Sequence, residues 1–498
     1  MRVRGTVLAA GALAAMVAGG GMAAYRTVGT RDAAAAAPVA APAATVPLAA
    51  ASSAGPLQAQ AAAIVGGSAS EWTAMAWSID RKETLFAVNG AQALVPASNN
   101  KVFTAVWAME VLGPGYRFPT DLLATGPIEN GALRGDLVIR GSGDPAFGYA
   151  EYDDDPLHSP RIMARALKGR GVRVVEGGVV GDATIHDGMN YGPDWPKDTG
   201  NGAAAYAPTV SGLPYQRNMV WVRADTADPR GFATEPDVPE IPVVWASRAG
   251  RGYAVRKPDS DTITVKGAPG PRGSRYGVGA AEPALLAPAA LRQALREEGI
   301  EVRGGVSLRA TPAGAKLLHR HYSITLAEMV PQLNRHSDNF FAEHLFKAAV
   351  AKATGQGSYA RGGPASATFF HDRAGVEWGQ LWQADGSGLS SRNRTSAHAL
   401  VSALYYAHQQ PWSRAFHESL AVGGERDGTL ARMFGSAPAK GNLHAKTGYI
   451  RGVRSLSGYV RTAGGELVAF SLIYNGRNTS GARGVQQQLG DLLASYSR

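Results

Sequence analysis

The 498-residue chain contains no cysteine. That absence removes disulfides, thiolate metal ligands, a cysteine nucleophile and lipid attachment through sulfur. Charge is sparse, at 18% of residues, and the 50 Lys+Arg that exceed 40 Asp+Glu form no basic run. A nucleic-acid binder gathers such charge on one helix or arm. No nucleic-acid partner is therefore expected, and the net +10 reads as solubility with a mild attraction to anionic envelope polymers. Long apolar runs are missing after the N-terminus, so no later segment is expected to cross a bilayer. Metal-ligand spacing is missing as well. The 11 histidines include "HRH" at His319–His321 and "AEH" ending at His344, but no H-E-x-x-H. No metal and no cofactor is expected. What is present is 45% hydrophobic residues, enough for a globular protein of about two to four domains.

The N-terminus carries its own signal. "MRVRG" is a short basic head, followed by "TVLAAGALAAMVAGGGMAA", an apolar stretch with small residues near its end. This pattern predicts a signal peptide or N-terminal anchor over residues 1–24, hence export to the periplasm or cell envelope. Membrane contact is expected only through this segment, if it stays uncleaved. Residues 25–65 are rich in Ala and Pro and read as a linker without a core.

Beyond it, "AMAWSIDRKETLFAVNG" predicts two strands, Ala74–Asp80 and Glu83–Val88, and "SNNKVFTAVWAMEVLG" a helix stopped by "GPG". From 118 to 318, short β-type runs alternate with Gly, Pro and Asp turns. After 319 the pattern turns helical, then closes with alternating runs joined by short turns such as "AGGE" and a last helix. The expected fold class is α/β, an antiparallel sheet flanked by helices, with residues 66–117 and 319–498 forming one domain split by a β-rich insertion over 118–318.

Three short motifs carry candidate chemistry. Ser98 and Lys101 lie at i and i+3, so on a helix they share a face and touch. They are a nucleophile with its base, or an N-cap serine beside a solvated lysine. Chance alone supplies about one S-x-x-K in a chain of this length. Ser337 and Asn339, in "NRHSDNFFAEH", lie where one helix ends and the next begins, where a loop aims both into a cleft or caps a helix. Lys446, Thr447 and Gly448, in "HAKTGYI", open a late strand. There a glycine admits a close backbone, and Lys with Thr suits a carboxylate, although edge strands also use lysine to block aggregation.

In this order, S-x-x-K, S-D-N and K-T-G resemble the signature of penicillin-binding proteins and serine β-lactamases. Well over two hundred residues separate the first two motifs. That spacing resembles the class C low-molecular-mass penicillin-binding proteins, the D-alanyl-D-alanine carboxypeptidase/endopeptidases of penicillin-binding protein 4 type. "ADGSGLS" at Ala384–Ser390 and "GGERDGTLARMF" ahead of K-T-G add to the likeness.

The resemblance implies a serine hydrolase acting on peptidoglycan stem peptides or cross-links through an acyl-enzyme. Ser98 would be the nucleophile, Lys101 its base and Ser337 the proton relay to the leaving amine. Asn339 would bind the substrate amide, and Lys446, Thr447 and Gly448 the terminal carboxylate. The backbone N–H groups of Ser98 and Tyr449 would form the oxyanion hole. An ordinary lysine is neutral about once in 2,500 at pH 7. Lys101 is therefore expected to be depressed by burial and by a nearby cation, for which Lys446 is the candidate. Asp182, within the insertion, matches an acidic residue that contacts the free amine of the stem in relatives.

β-Lactams are expected to be covalent inhibitors. "EWGQLW" from Glu377 has the glutamate but not the E-x-x-L-N pattern of class A β-lactamases. The alternatives are a serine β-lactamase or esterase of the same fold, a metallopeptidase, and a non-catalytic wall-binding protein that kept the motifs.

Overall fold

The computed structural model describes Val46 and residues 55–497, apart from 150–154, 196–205, 225–230, 248–249, 251, 258–259 and 268–274. The expected signal or anchor, residues 1–24, and most of the expected linker lie outside the described residues. Among the described residues, no helix is long and apolar enough to cross a membrane.

The linker expectation fails at its C-terminal end. Pro56–Val65 is a helix, α1, that starts on its proline and ends at Gly66 with φ +58°, as the Pro-first, Gly-last rule favours. Leu57, Ala61 and Val65, spaced four apart, are buried against the sheet. Gln58 fixes the helix to Ala87, its Nε2 donating to the backbone carbonyl and its Oε1 accepting from the N–H. An Ala-rich helix of ten residues is marginal alone; tertiary packing, invisible to composition, holds it.

Six antiparallel strands form the central sheet: β1 (Trp72–Ser78), β2 (Glu83–Val88), β3 (Ala421–Val422), β4 (His444–Ile450), β5 (Val453–Arg461) and β6 (Leu467–Asn475), in the order β2-β1-β6-β5-β4-β3. Strand β1 pairs with both β2 and β6, so the two ends of the chain meet at the sheet's centre. One face is covered by α1 and the C-terminal helix Thr479–Ser495, through Leu489 and Leu493. The other face carries the larger core, centred on α2 (Asn100–Val111). Val102, Phe103, Val106 and Trp107 of α2 are all buried, because helices cover it on several sides; a helix apolar all round belongs inside.

The chain leaves this domain through Arg117–Ala124 and returns through Lys316–Thr325. The two strands pair antiparallel, so the long β-rich insertion closes at its base. Thr325 then caps α3 (Leu326–Asn334) in a capping box with Glu328. The insertion has its own core and two helices the sequence reading did not separate from the β texture, His158–Gly169 and Leu286–Glu297. Leu286, Ala290, Leu291, Ala294 and Leu295 of the latter recur at helical spacing and are buried; short Gly- and Pro-bounded runs on either side hide that period.

Candidate active site

The approach to Ser98 is a strained turn. Ala97 has φ +47°, a conformation that costs a non-glycine residue about 1 kcal/mol or more. Ala97–Asn99 form a 3-10 turn, and the α-helix begins only at Asn100. Ser98 therefore sits just before α2 rather than within its first α-turn. The backbone ahead of it is tied to the C-terminal strands: Asn475 exchanges two 3.0 Å hydrogen bonds with the N–H and C=O of Val95, and Ser455 Oγ donates to Pro96 O at 2.5 Å. With its amide turned to satisfy both ends, Asn99 donates to the carbonyl of Lys446 at 2.9 Å.

Lys101 is wholly buried. Its Nζ donates to Ser98 Oγ at 3.0 Å, Asn339 Oδ1 at 2.6 Å and the Ser387 carbonyl at 2.7 Å. Two fixed acceptors thus hold two N–H bonds, and once the third proton is lost the lone pair faces the serine. Burial lowers the pKa of Lys101 to about 8, against the opposing charges of Glu343, Asp385 and Asp338.

Ser337 has φ +61°, and Asp338 caps α4 (Asn339–Thr354) by accepting from Phe341 N. The break between α3 and α4 turns both Ser337 and Asn339 inward, although two residues on one helix would diverge. Ser337 Oγ accepts from Lys446 Nζ at 2.8 Å, and the same amine donates to Thr447 O at 2.7 Å. Lys446 is also wholly buried. Burial and then the charge of Lys101 hold its pKa well below the ordinary lysine value. This reverses one expectation: burial depresses Lys101, and Lys446 is the amine that yields its proton to the neighbouring charge.

Gly448 explains itself by contact. A Cβ there would lie 2.0 Å from Ser455 Oγ and 3.0 Å from both Pro96 O and Ser98 N. Only a glycine lets β4 lie this close to the turn that carries Ser98. Ser98, Ser337, Asn339, Thr447, Gly448 and Tyr449 share one open cleft of about 520 Å³.

Asp182 does not join them. It is 3% exposed, and its oxygens accept from the backbone N–H and the hydroxyl of both Thr184 and Thr311. Burial works against its charge, but these hydrogen bonds outweigh burial and hold the carboxyl below its usual range. An aspartate so occupied braces a turn of the insertion and has no lone pair to offer a substrate amine. Nearby Asp187 is taken by Lys347 Nζ at 2.7 Å.

Several residues of the site were not singled out from the sequence. The "DGSGLS" loop packs behind the turn that carries Ser98: Gly388, φ +88°, leaves room for the Ala97 carbonyl, which a Cβ would meet at 1.8 Å. Glu343 holds the loop by accepting from Gly386 N and Ser387 N. Burial first, then Asp385, pushes its carboxyl up to about 8. Its signal was present: Asn339, Glu343 and Lys347 are four apart, a polar line on a helix otherwise rich in Phe, Ala and Leu. The insertion also grips the site. Arg217 donates to Asp338 Oδ2 at 2.6 Å, Tyr206 O accepts from Asn339 Nδ2 at 2.6 Å, and Trp195 Nε1 donates to Asp385 Oδ2 at 2.8 Å. No sequence pattern announces such contacts. His344 is buried between Phe340 O and Ser211 N, and among the described residues no cluster of three or more His, Asp or Glu is placed to hold a metal.

A hydroxyl touching a buried amine of lowered pKa, backed by a second lysine–serine pair at the edge of an antiparallel sheet, defines a serine acyl-transfer enzyme of the penicillin-binding protein and serine β-lactamase fold. The chain belongs to the D-Ala-D-Ala carboxypeptidase 3 (S13) family, which it matches over residues 57–496. It is 32% identical over 443 residues to the D-alanyl-D-alanine carboxypeptidase of an Actinomadura species, covering 83% of this chain and 79% of that one. It is 28% identical over 419 residues to the D-alanyl-D-alanine carboxypeptidase DacB of Haemophilus influenzae, covering 81% and 85%. The crystal structure of penicillin binding protein 4 (dacB) from Haemophilus influenzae superposes with a TM-score of 0.71 at 25% identity, over 88% of this chain and 99% of that one.

Proposed function

We propose that this protein is a serine D-Ala-D-Ala carboxypeptidase that also cleaves D,D cross-links of peptidoglycan, and that it works outside the cytoplasm. The observation that carries the reading is the 3.0 Å contact between Lys101 Nζ and Ser98 Oγ in a site where both lysines are buried.

Neutral Lys101 takes the Ser98 proton as Oγ attacks the carbonyl of the penultimate D-Ala. The carbonyl oxygen, now an anion, is received by the N–H groups of Ser98 and Tyr449. Ser337, hydrogen-bonded to Lys446, passes its hydroxyl proton to the departing amine and regains one from protonated Lys101, so the C–N bond breaks to leave an ester on Ser98 and Lys101 is neutral again. Asn339 keeps its Oδ1 on Lys101 and turns its Nδ2 from Tyr206 O to the carbonyl of the substrate's backbone amide, and Thr447 receives the terminal carboxylate. Water, activated by the same lysine, hydrolyses the ester.

Only Ala445 and His444 of β4 pair with β3, so Thr447–Tyr449 offer a free edge along which an extended peptide lies. Penicillin follows the same path to the ester and stalls there. Glu377, the one acid with a sequence claim to deacylation, is exposed and does not line the cleft. We assign residues 66–117 and 319–498 to the catalytic domain and 118–318 to the insertion.

The test is labelling with fluorescent penicillin together with mass spectrometry of muropeptides. Wild-type protein is expected to take one label and release terminal D-Ala, and Ser98→Ala to do neither. Labelling that survives Ser98→Ala, or rapid turnover of nitrocefin, overturns the assignment.

A further inference from the structure

The cleft continues past the catalytic groups to a cationic wall. Arg432, Arg454 and Arg483 line the same cavity as Ser98 and Thr447, and among the described residues no Asp or Glu lines it. Arg454 stands opposite Tyr449 in the β4–β5 register, its guanidinium 4.3 Å above that ring. Its Nε is buried without a hydrogen-bond partner. Arg483 spends one Nη2 bond on the carbonyl of Arg432 at 3.0 Å. Among the described residues, none of the three forms an ion pair, whereas Arg217, Arg292 and Arg320 each hold a carboxylate. Unpaired guanidiniums held together repel, and burial with the charge of Arg483 already pushes Arg454 below the ordinary arginine value. An anion entering the cleft relieves that repulsion. Lys446 supplies no permanent charge, since its proton is the easily lost one.

Position says which part of a substrate meets this wall. Thr447 and Tyr449, two apart on β4, face the same side of the sheet, and Arg454 lies across from Tyr449. The wall therefore extends from the place given to the carboxylate next to the scissile bond. We propose that Arg432, Arg454 and Arg483 form a subsite for further carboxylates on the leaving peptide, so that the enzyme prefers leaving groups carrying more than one. This rests on the serine-acylation reading above. A terminal D-Ala brings a single carboxylate; a cross-linked stem brings those of a second peptide, and the subsite thus favours the cleavage of cross-links.

The experiment compares peptides with one acyl part and three leaving residues: D-alanine, D-2-aminoadipate and D-lysine. At low salt, kcat/KM for the aminoadipate peptide is expected to exceed that for the D-lysine peptide about tenfold, and the ratio to fall in 0.5 M NaCl. In Arg454→Gln and Arg483→Gln the ratio is expected to approach one while fluorescent penicillin still labels Ser98. Equal rates for the three peptides in labelled wild-type enzyme, or a preference that survives both substitutions, overturn the subsite. Wild-type protein that takes no penicillin label overturns the acylation reading instead.

Discussion

The lowered pKa of Lys101 has a direct kinetic signature. Only the deprotonated amine accepts the Ser98 proton, so the acylation rate follows the neutral fraction and rises with pH. With a pKa of about 8, about 1% of Lys101 is neutral at pH 6 and about 90% at pH 9, a gain of roughly 90-fold followed by a plateau. At pH 7 the neutral fraction is about one in ten, against about one in 2,500 for an ordinary lysine. Burial thus supplies a factor of about 250 without any new contact. The assay is the second-order rate of penicillin acylation, read by fluorescence between pH 6 and 10. A Glu343→Gln variant adds a second reading. Glu343, its carboxyl pushed up to about 8, ionises over the same range and once ionised favours protonated Lys101; Gln cannot ionise, so the upper half of the rise is expected to move to lower pH. A rate that still climbs tenfold per unit at pH 9.5, or one flat from pH 6 to 9, would refute the role given to Lys101.

Gly448→Ala places a methyl 2.0 Å from Ser455 Oγ. Turning Ser455 away breaks its bond to Pro96 O and loosens the turn before Ser98, so acylation is expected to fall about 100-fold while circular dichroism shows a folded protein. Asp182→Ala removes four buried hydrogen bonds and is expected to cost about 3 kcal/mol in urea unfolding, with penicillin labelling retained below the transition; a raised KM for stem peptides with unchanged stability would restore the substrate role. Arg217→Ala strips Asp338 of its ion pair and is expected to slow acylation about tenfold by freeing Ser337 and Asn339, with little change in the pH midpoint; a wild-type rate would mean the insertion does not brace the motif.

The sequence spoke most clearly where chemistry imposes a fixed spacing. Ser98 and Lys101 touch because three residues make nearly a helical turn, and the antiparallel sheet follows from alternating runs joined by short turns. Ser337 and Asn339 were legible only by their order relative to the other motifs, since their convergence depends on a break between α3 and α4. The rest was hidden for separate reasons. Pro56–Val65 has linker composition but one packed face. Asp182 looks like any turn aspartate until Thr311, far along the chain, is seen to satisfy it. Which lysine depresses the other was hidden because the charge on Lys101 depends on Glu343, Asp385 and Asp338, the first of which no motif names.

The pairing of β1 with β6 sets a timetable for the molecule. Trp72 and Tyr474 sit side by side in the sheet, and Val95, just ahead of the nucleophile, is bracketed by Asn475. A polypeptide emerging from its N-terminus has Ser98 and Lys101 early, but it lacks the strand that seats them until nearly every residue has been delivered. The hydrolase thus stays unarmed while it is being made and becomes able to cut only once its final strand has slotted into place.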